Sequence, residues 1–214
     1  KELKNNKGSV QFNTTIATVV LEGDVIKYLS FDVAQNTSTF DGAGKFTSNH
    51  SKTLTKKEKK DDYGMKKISK IGKEWYEQAE ALEKWAIGKK VSDFKNMKTK
   101  KSSHGMKTAE TDLQTSVTIG VDRFLASFDK AVKTATEVEG ATQVANASST
   151  KIVNKNAISA QSNVTYAALA LDKDGKILLA LTDVAQNKVK VTNKGAFDGE
   201  VKETPTKVER KDEY

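Results

Sequence analysis

The sequence predicts an α+β protein. Two homologous antiparallel β-meander repeats are expected to pair about a pseudo-twofold, with helices inserted between them and packing on one face. Three observations predict it. First, residues 14–63 and 165–214 are one segment written twice, offset by 151 positions and alignable without a gap, with 17 of 50 positions identical. Both copies carry Asp-Val-Ala-Gln-Asn (32–36 and 183–187) and both close on a basic run ending in tyrosine (56–63 and 207–214). Such self-similarity sets architecture before any propensity is consulted. Second, each copy opens with two strand-like runs joined by a glycine-containing turn. Third, the apolar residues between the copies fall at helical spacing.

The elements follow in order. Thr14 to Leu21 is β-branched and apolar, Glu22-Gly23-Asp24 is a turn, and Val25 to Phe31 is a second strand. In the second copy Val164 to Leu171, Asp172 to Gly175 and Lys176 to Leu181 take the same roles. After Asp-Val-Ala-Gln-Asn, read as lying just past the strand, a third strand is expected at 37–40 and 188–191. Short fourth strands are expected at Phe46 and Phe197, after turns at 41–44 and 193–195. A single meander has too little area to stand alone, so the copies share a sheet or pack together.

Between them, Trp75, Ala79, Leu82 and Ala86 form an apolar stripe ended by Gly88, so a helix is predicted over about 73–87. A short helix from Ser92 to Met97 follows, then a loop over 98–110. A longer helix spans about 121–137, carried by Val121, Leu125, Phe128 and Val132, with Gly140 as the glycine that ends it. The polar stretch 146–163 reads as a linker. The organisation is therefore repeat 1 (12–69), helical insertion (70–145), linker (146–163) and repeat 2 (164–214), within one compact domain.

Composition narrows the function classes. The chain has 214 residues, 36% hydrophobic content and a formal net charge of +8. No apolar run approaches the roughly 20 residues that span a bilayer. Absent cysteine removes thiolate metal sites, cysteine nucleophiles and disulfides. Lysines crowd 52–70 and 89–107, but there are only two arginines, Arg123 and Arg210, and few interleaved aromatics. A nucleic-acid reader would need more of both, so nucleic acid is not the expected partner. The lysines read as a solvated surface facing an anionic wall or membrane.

Candidate site residues are few. Asp32 with Gln35, and Asp183 with Gln186, are repeated polar pairs suited either to contacting a ligand or to tying down turns by accepting backbone N–H groups. Of the aromatics on the first helix, Trp75 reads as core, and Tyr76, about 100° away from it, as a candidate ligand contact. His50 and His104 lack spaced partners for a metal or a triad and read as surface residues. No metal site and no catalytic set are expected.

The stretches Tyr63-Gly64-Met65-Lys66-Lys67 and Gly72-Lys73-Glu74-Trp75-Tyr76-Glu77-Gln78-Ala79, the repeated Asp-Val-Ala-Gln, and Asp112 to Ile119 resemble one family. It comprises uncharacterised surface lipoproteins of clostridia and related Gram-positive anaerobes. The resemblance implies export and anchoring on the outer face of the cytoplasmic membrane, through a lipidated cysteine that would precede Lys1. The expected function is a membrane-anchored, surface-exposed binding or interaction protein without catalytic activity. Its partner is a small molecule or another cell-surface component.

Glu139-Gly140-Ala141-Thr142 is similar to the flavin-attachment motif of FMN-binding domains, with Thr142 as acceptor, although Glu139 and Val144 depart from it. That similarity implies an alternative, a flavin-carrying protein of extracellular electron transfer.

Overall fold

The computed structural model describes residues 8–48, 50, 53–103, 105–156, 159–192, 196–198 and 203–211. It is an α+β fold of antiparallel sheets with short helices. The first hairpin joins β1 (Gly8–Glu22) to β2 (Val25–Phe40) through Gly23, whose φ of 59° favours glycine. Three short helical pieces follow, α1 (Lys56–Lys59) and 3₁₀ turns at Lys60–Tyr63 and Met65–Lys67. Then come α2 (Trp75–Ala86), α3 (Val91–Lys95), a small hairpin of β3 (Thr99–Ser102) and β4 (Gly105–Thr108), and α4 (Asp122–Lys133). The second sheet has the order β5 (Gln143–Asn156), β6 (Ser159–Leu171), β7 (Ile177–Val191), β8 (Phe197–Asp198). Helix α5 (Lys207–Arg210) closes the described chain.

Several expectations are corrected. The segment Asp32 to Asn36 does not follow a strand; β2 runs through it unbroken to Phe40, and β7 runs likewise through Asp183 to Asn187. Each copy is thus a long hairpin, with Phe46 adding only an isolated bridge to Phe40 and Phe197 a two-residue strand. The stretch expected as a linker lies largely in β5, which pairs with β6 from Gln143 to Asn156. Its polarity misled because an edge strand needs no apolar face when backbone pairing holds it in place. The loop expected over 98–110 contains the β3–β4 hairpin. Helix α4 stops at Lys133, so Gly140, with φ 73°, turns the chain into β5 and does not end a helix. Helix α3 starts at Val91 with Lys90 as its first cap, and Ser92 lies inside it. The turn at 193–195, His104 and the end of the second basic run lie outside the described residues.

Hydrogen-bond registers also correct the gap-free alignment. Asn13 faces Gln35, and Asn163 faces Gln186. Asn13 and Asn163 are 150 positions apart, whereas Gln35 and Gln186 are 151 apart. The second copy therefore carries one extra residue in its turn, Asp172 to Gly175. With that insertion the register shifts at Val20/Leu21 and Ala170/Leu171 coincide.

The main core lies between the first hairpin and the helices. Ile26, Leu29 and Phe31 of β2 pack with Trp75, Ala79 and Leu82 of α2, and with Phe124 and Phe128 of α4. Phe31 stacks on Phe124 with centroids 4.7 Å apart. A smaller apolar cluster joins the two sheets, with Val10, Phe12 and Phe40 against Ala160 and Val191. Asn36 ties them by donating to Thr150 Oγ1 at 2.6 Å and Ser162 Oγ at 2.9 Å.

Candidate functional site

Helix α1 shapes the site. Thr55 caps it by accepting from the Glu58 N–H, while Glu58 accepts from the Thr55 N–H, a reciprocal box that satisfies two otherwise orphan donors. Asp32, on β2, then seats the helix: its Oδ1 accepts from the N–H of Val33 at 2.7 Å and of Lys57 at 3.1 Å. Lys57 reaches back to Ser30 Oγ at 3.1 Å and Glu83 Oε1 at 2.7 Å. Glu83 also accepts from the N–H of Phe31 at 2.6 Å. Burial raises the pKa of Glu83 despite the opposing ammonium of Lys57.

The same scaffold recurs in the second copy. Thr206 and Glu209 form the box at α5, and Asp183 Oδ1 accepts from the N–H of Val184 at 2.6 Å and of Val208 at 3.0 Å. Even the residue closing each short helix matches, with Lys60 at φ 46° and Lys211 at φ 48°. The second oxygen of the aspartate is engaged differently. Tyr166, paired across the strands with Asp183, donates its hydroxyl to Asp183 Oδ2 at 2.9 Å. Burial and that carboxylate raise the pKa of Tyr166. Burial would raise Asp183 as well, but donors from Thr206, Val208, Val184 and Tyr166 outweigh it and hold its pKa low.

The residue paired with Asp32 is Ile16, which has no hydroxyl. Among the described residues, the donors to Asp32 reach Oδ1 and none reaches Oδ2, and Asp32 lines a cleft of about 220 Å³. Ile16, Thr18 and Ser30 form one wall, with Asp32, Lys57 and Glu58 at its end, and Asn146 to Ser148 with Ala167 on the other side. The arrangement offers one open carboxylate oxygen between small apolar and hydroxyl side chains.

The sequence candidates do not converge on it. Asp32 lines the cleft, but Gln35, three residues on along the strand, points to the other face. There it donates to Asn13 Oδ1 at 3.3 Å and accepts from the Tyr63 hydroxyl at 3.3 Å. Gln186 donates to Asn163 in the same way, at 3.0 Å. Tyr76 sits apart with its hydroxyl 3.3 Å from Asp61, and Trp75 is buried in the core. His50, expected at the surface, is half-buried, and burial lowers its pKa. Thr142 is exposed just before β5, its N–H donated to Leu171 O. Lys57, Glu83 and Tyr166 were missed. Aligning Gln11 to Asn13 with Gln161 to Asn163 is the signal that sets Ile16 against Tyr166.

Among the described residues no three His, Asp or Glu side chains stand together as a metal site. No described helix is long and apolar enough to cross a membrane. No protein-family model, curated protein or solved structure matches this chain.

Proposed function

We propose that this protein is a binding protein of the cell surface, anchored to the outer face of the membrane, and that its ligand enters the cleft beside Asp32. The observation that carries the ligand site is Asp32 on a 220 Å³ cleft, its Oδ2 without a donor among the described residues, whereas Asp183 takes a tyrosine hydroxyl. Surface location and the lipid anchor rest on the resemblance of the Tyr63 to Lys67 and Gly72 to Ala79 stretches. We also read the two hairpin units as repeats paired about a pseudo-twofold. In support of that pairing, Ala34 clusters with its counterpart Ala185, and Val10 and Phe40 cluster with their counterparts Ala160 and Val191.

A thermal-shift screen of the purified chain against phenols, sugars, amino acids, nucleotides and flavins tests the ligand site. A ligand at 100 times its dissociation constant stabilises the native state by about 2.7 kcal/mol. The shift should vanish in Ala147→Leu, which fills the cleft. A ligand whose shift survives that variant binds elsewhere. Growing the native organism with a clickable fatty acid tests the anchor, since the chain should take up label. The flavin alternative predicts a yellow protein whose colour is lost in Thr142→Ala.

A further inference from the structure

We propose that the cleft beside Asp32 takes a small phenol, whose hydroxyl donates to Asp32 Oδ2 as the Tyr166 hydroxyl donates to Asp183 Oδ2. This rests on the reading of that cleft as the ligand site. The second copy supplies the template. Ile16 and Tyr166 hold the same register position, each directly opposite its aspartate. Each aspartate spends Oδ1 on the same two backbone donors, one in its own strand and one in the short helix. Oδ2 is engaged in one copy only.

The surroundings select the ligand. Lys57 is committed to Glu83 and Ser30, so it does not compete for Asp32. With Asp32 and Glu58 both on the cleft, an anionic ligand is disfavoured and a neutral hydrogen-bond donor favoured. Ile16, Ala147 and Ala167 give the apolar contact that a ring needs, and the two alanines leave room for its thickness. A phenol satisfies both demands, because its ring buries against them while its hydroxyl completes the carboxylate.

The test uses p-cresol, which is the tyrosine side chain without its backbone, titrated into the full chain and followed by amide NMR. The amides of Val33 and Lys57, both bonded to Asp32, should shift saturably. The ether 4-methylanisole, which lacks the donor, should bind at least about tenfold more weakly. Ile16→Tyr should abolish the shifts by filling the cleft from within, and Ala147→Leu should do so from the opposite wall. The reverse exchange, Tyr166→Ile, should open a second p-cresol site reported by the amides of Val184 and Val208. Equal binding of cresol and its ether would overturn the proposal. If a sugar or amine shifts these amides and p-cresol does not, the phenol falls while the cleft stands as a ligand site. If no compound shifts them, both readings fall.

Discussion

Ile26 and Ile177 are the same residue at the same place in the two hairpins, each the first paired position after the bulge, yet Ile26 is 0% exposed and Ile177 56%. The helices make the difference. Helices α2 and α4 cover the far half of the first hairpin, burying Leu29 and Phe31 beside Ile26. The second hairpin places Ala180 and Thr182 at the matching positions and leaves Leu178 and Leu181 exposed. The two copies therefore share backbone pairing and differ in what that pairing supports. One is a platform for a core; the other is held by its ladder, by β5 and by contacts with the first sheet near Asn36.

The largest break in this comparison should come from truncating the matched isoleucines. Ile26→Ala should cost about 2–5 kcal/mol, as for fully buried aliphatic residues, whereas Ile177→Ala should stay within about 0.5 kcal/mol. Urea unfolding of both variants reads the difference. Equal costs would mean that the second hairpin is covered in solution.

Next in size is Glu83→Ala, which strands the N–H of Phe31 and the ammonium of Lys57 and should cost about 2–3 kcal/mol. The second copy replaces this polar link with Leu181 and Val208, both exposed, at the positions of Ser30 and Lys57. Val208→Ala should accordingly be near neutral in the same assay.

Tyr166→Phe removes the hydroxyl from Asp183 and should cost about 1–2 kcal/mol, since the acceptor is charged and the tyrosine half-buried. Smaller still are the caps. Thr55→Ala and Thr206→Ala should each cost about 1 kcal/mol, with Thr55 the costlier because it is fully buried.

The pH dependence should differ in sign. Asp183 has a lowered folded pKa, so its contribution is full above the unfolded aspartate value, about 4, and is lost as pH falls through the folded one. Glu83 has a raised folded pKa, so its ionisation subtracts stability as pH rises through that value, and acidification removes the subtraction. The exchange protection of the Val208 amide, relative to its intrinsic rate, should therefore fall at acid pH before that of Phe31. The opposite order would show that the two carboxylates do not control their regions.

The helix around Trp75, Leu82 and Ala86 was readable because its apolar spacing reports burial directly, and it forms within a residue or two of expectation. Strand β5 was not, because its pairing uses backbone groups that every residue type carries. Asp32 was readable as a turn-tying residue, and it does accept backbone N–H groups, but one of them belongs to Lys57, 25 residues away. Nothing local announces that reach.

The sequence by itself determined the α+β class, the likeness of residues 14–63 to 165–214 and the helical character of the segment around Trp75, since these are written in residue order and periodicity. Tertiary structure decided which hairpin is covered, since identical isoleucines are buried or exposed according to what stands opposite them. It also decided that Asp32 lines a cleft with Ile16, whereas Asp183 takes the hydroxyl of Tyr166. Burial and hydrogen-bond completion belong to pairs of surfaces, and a single strand carries only one side of each pair.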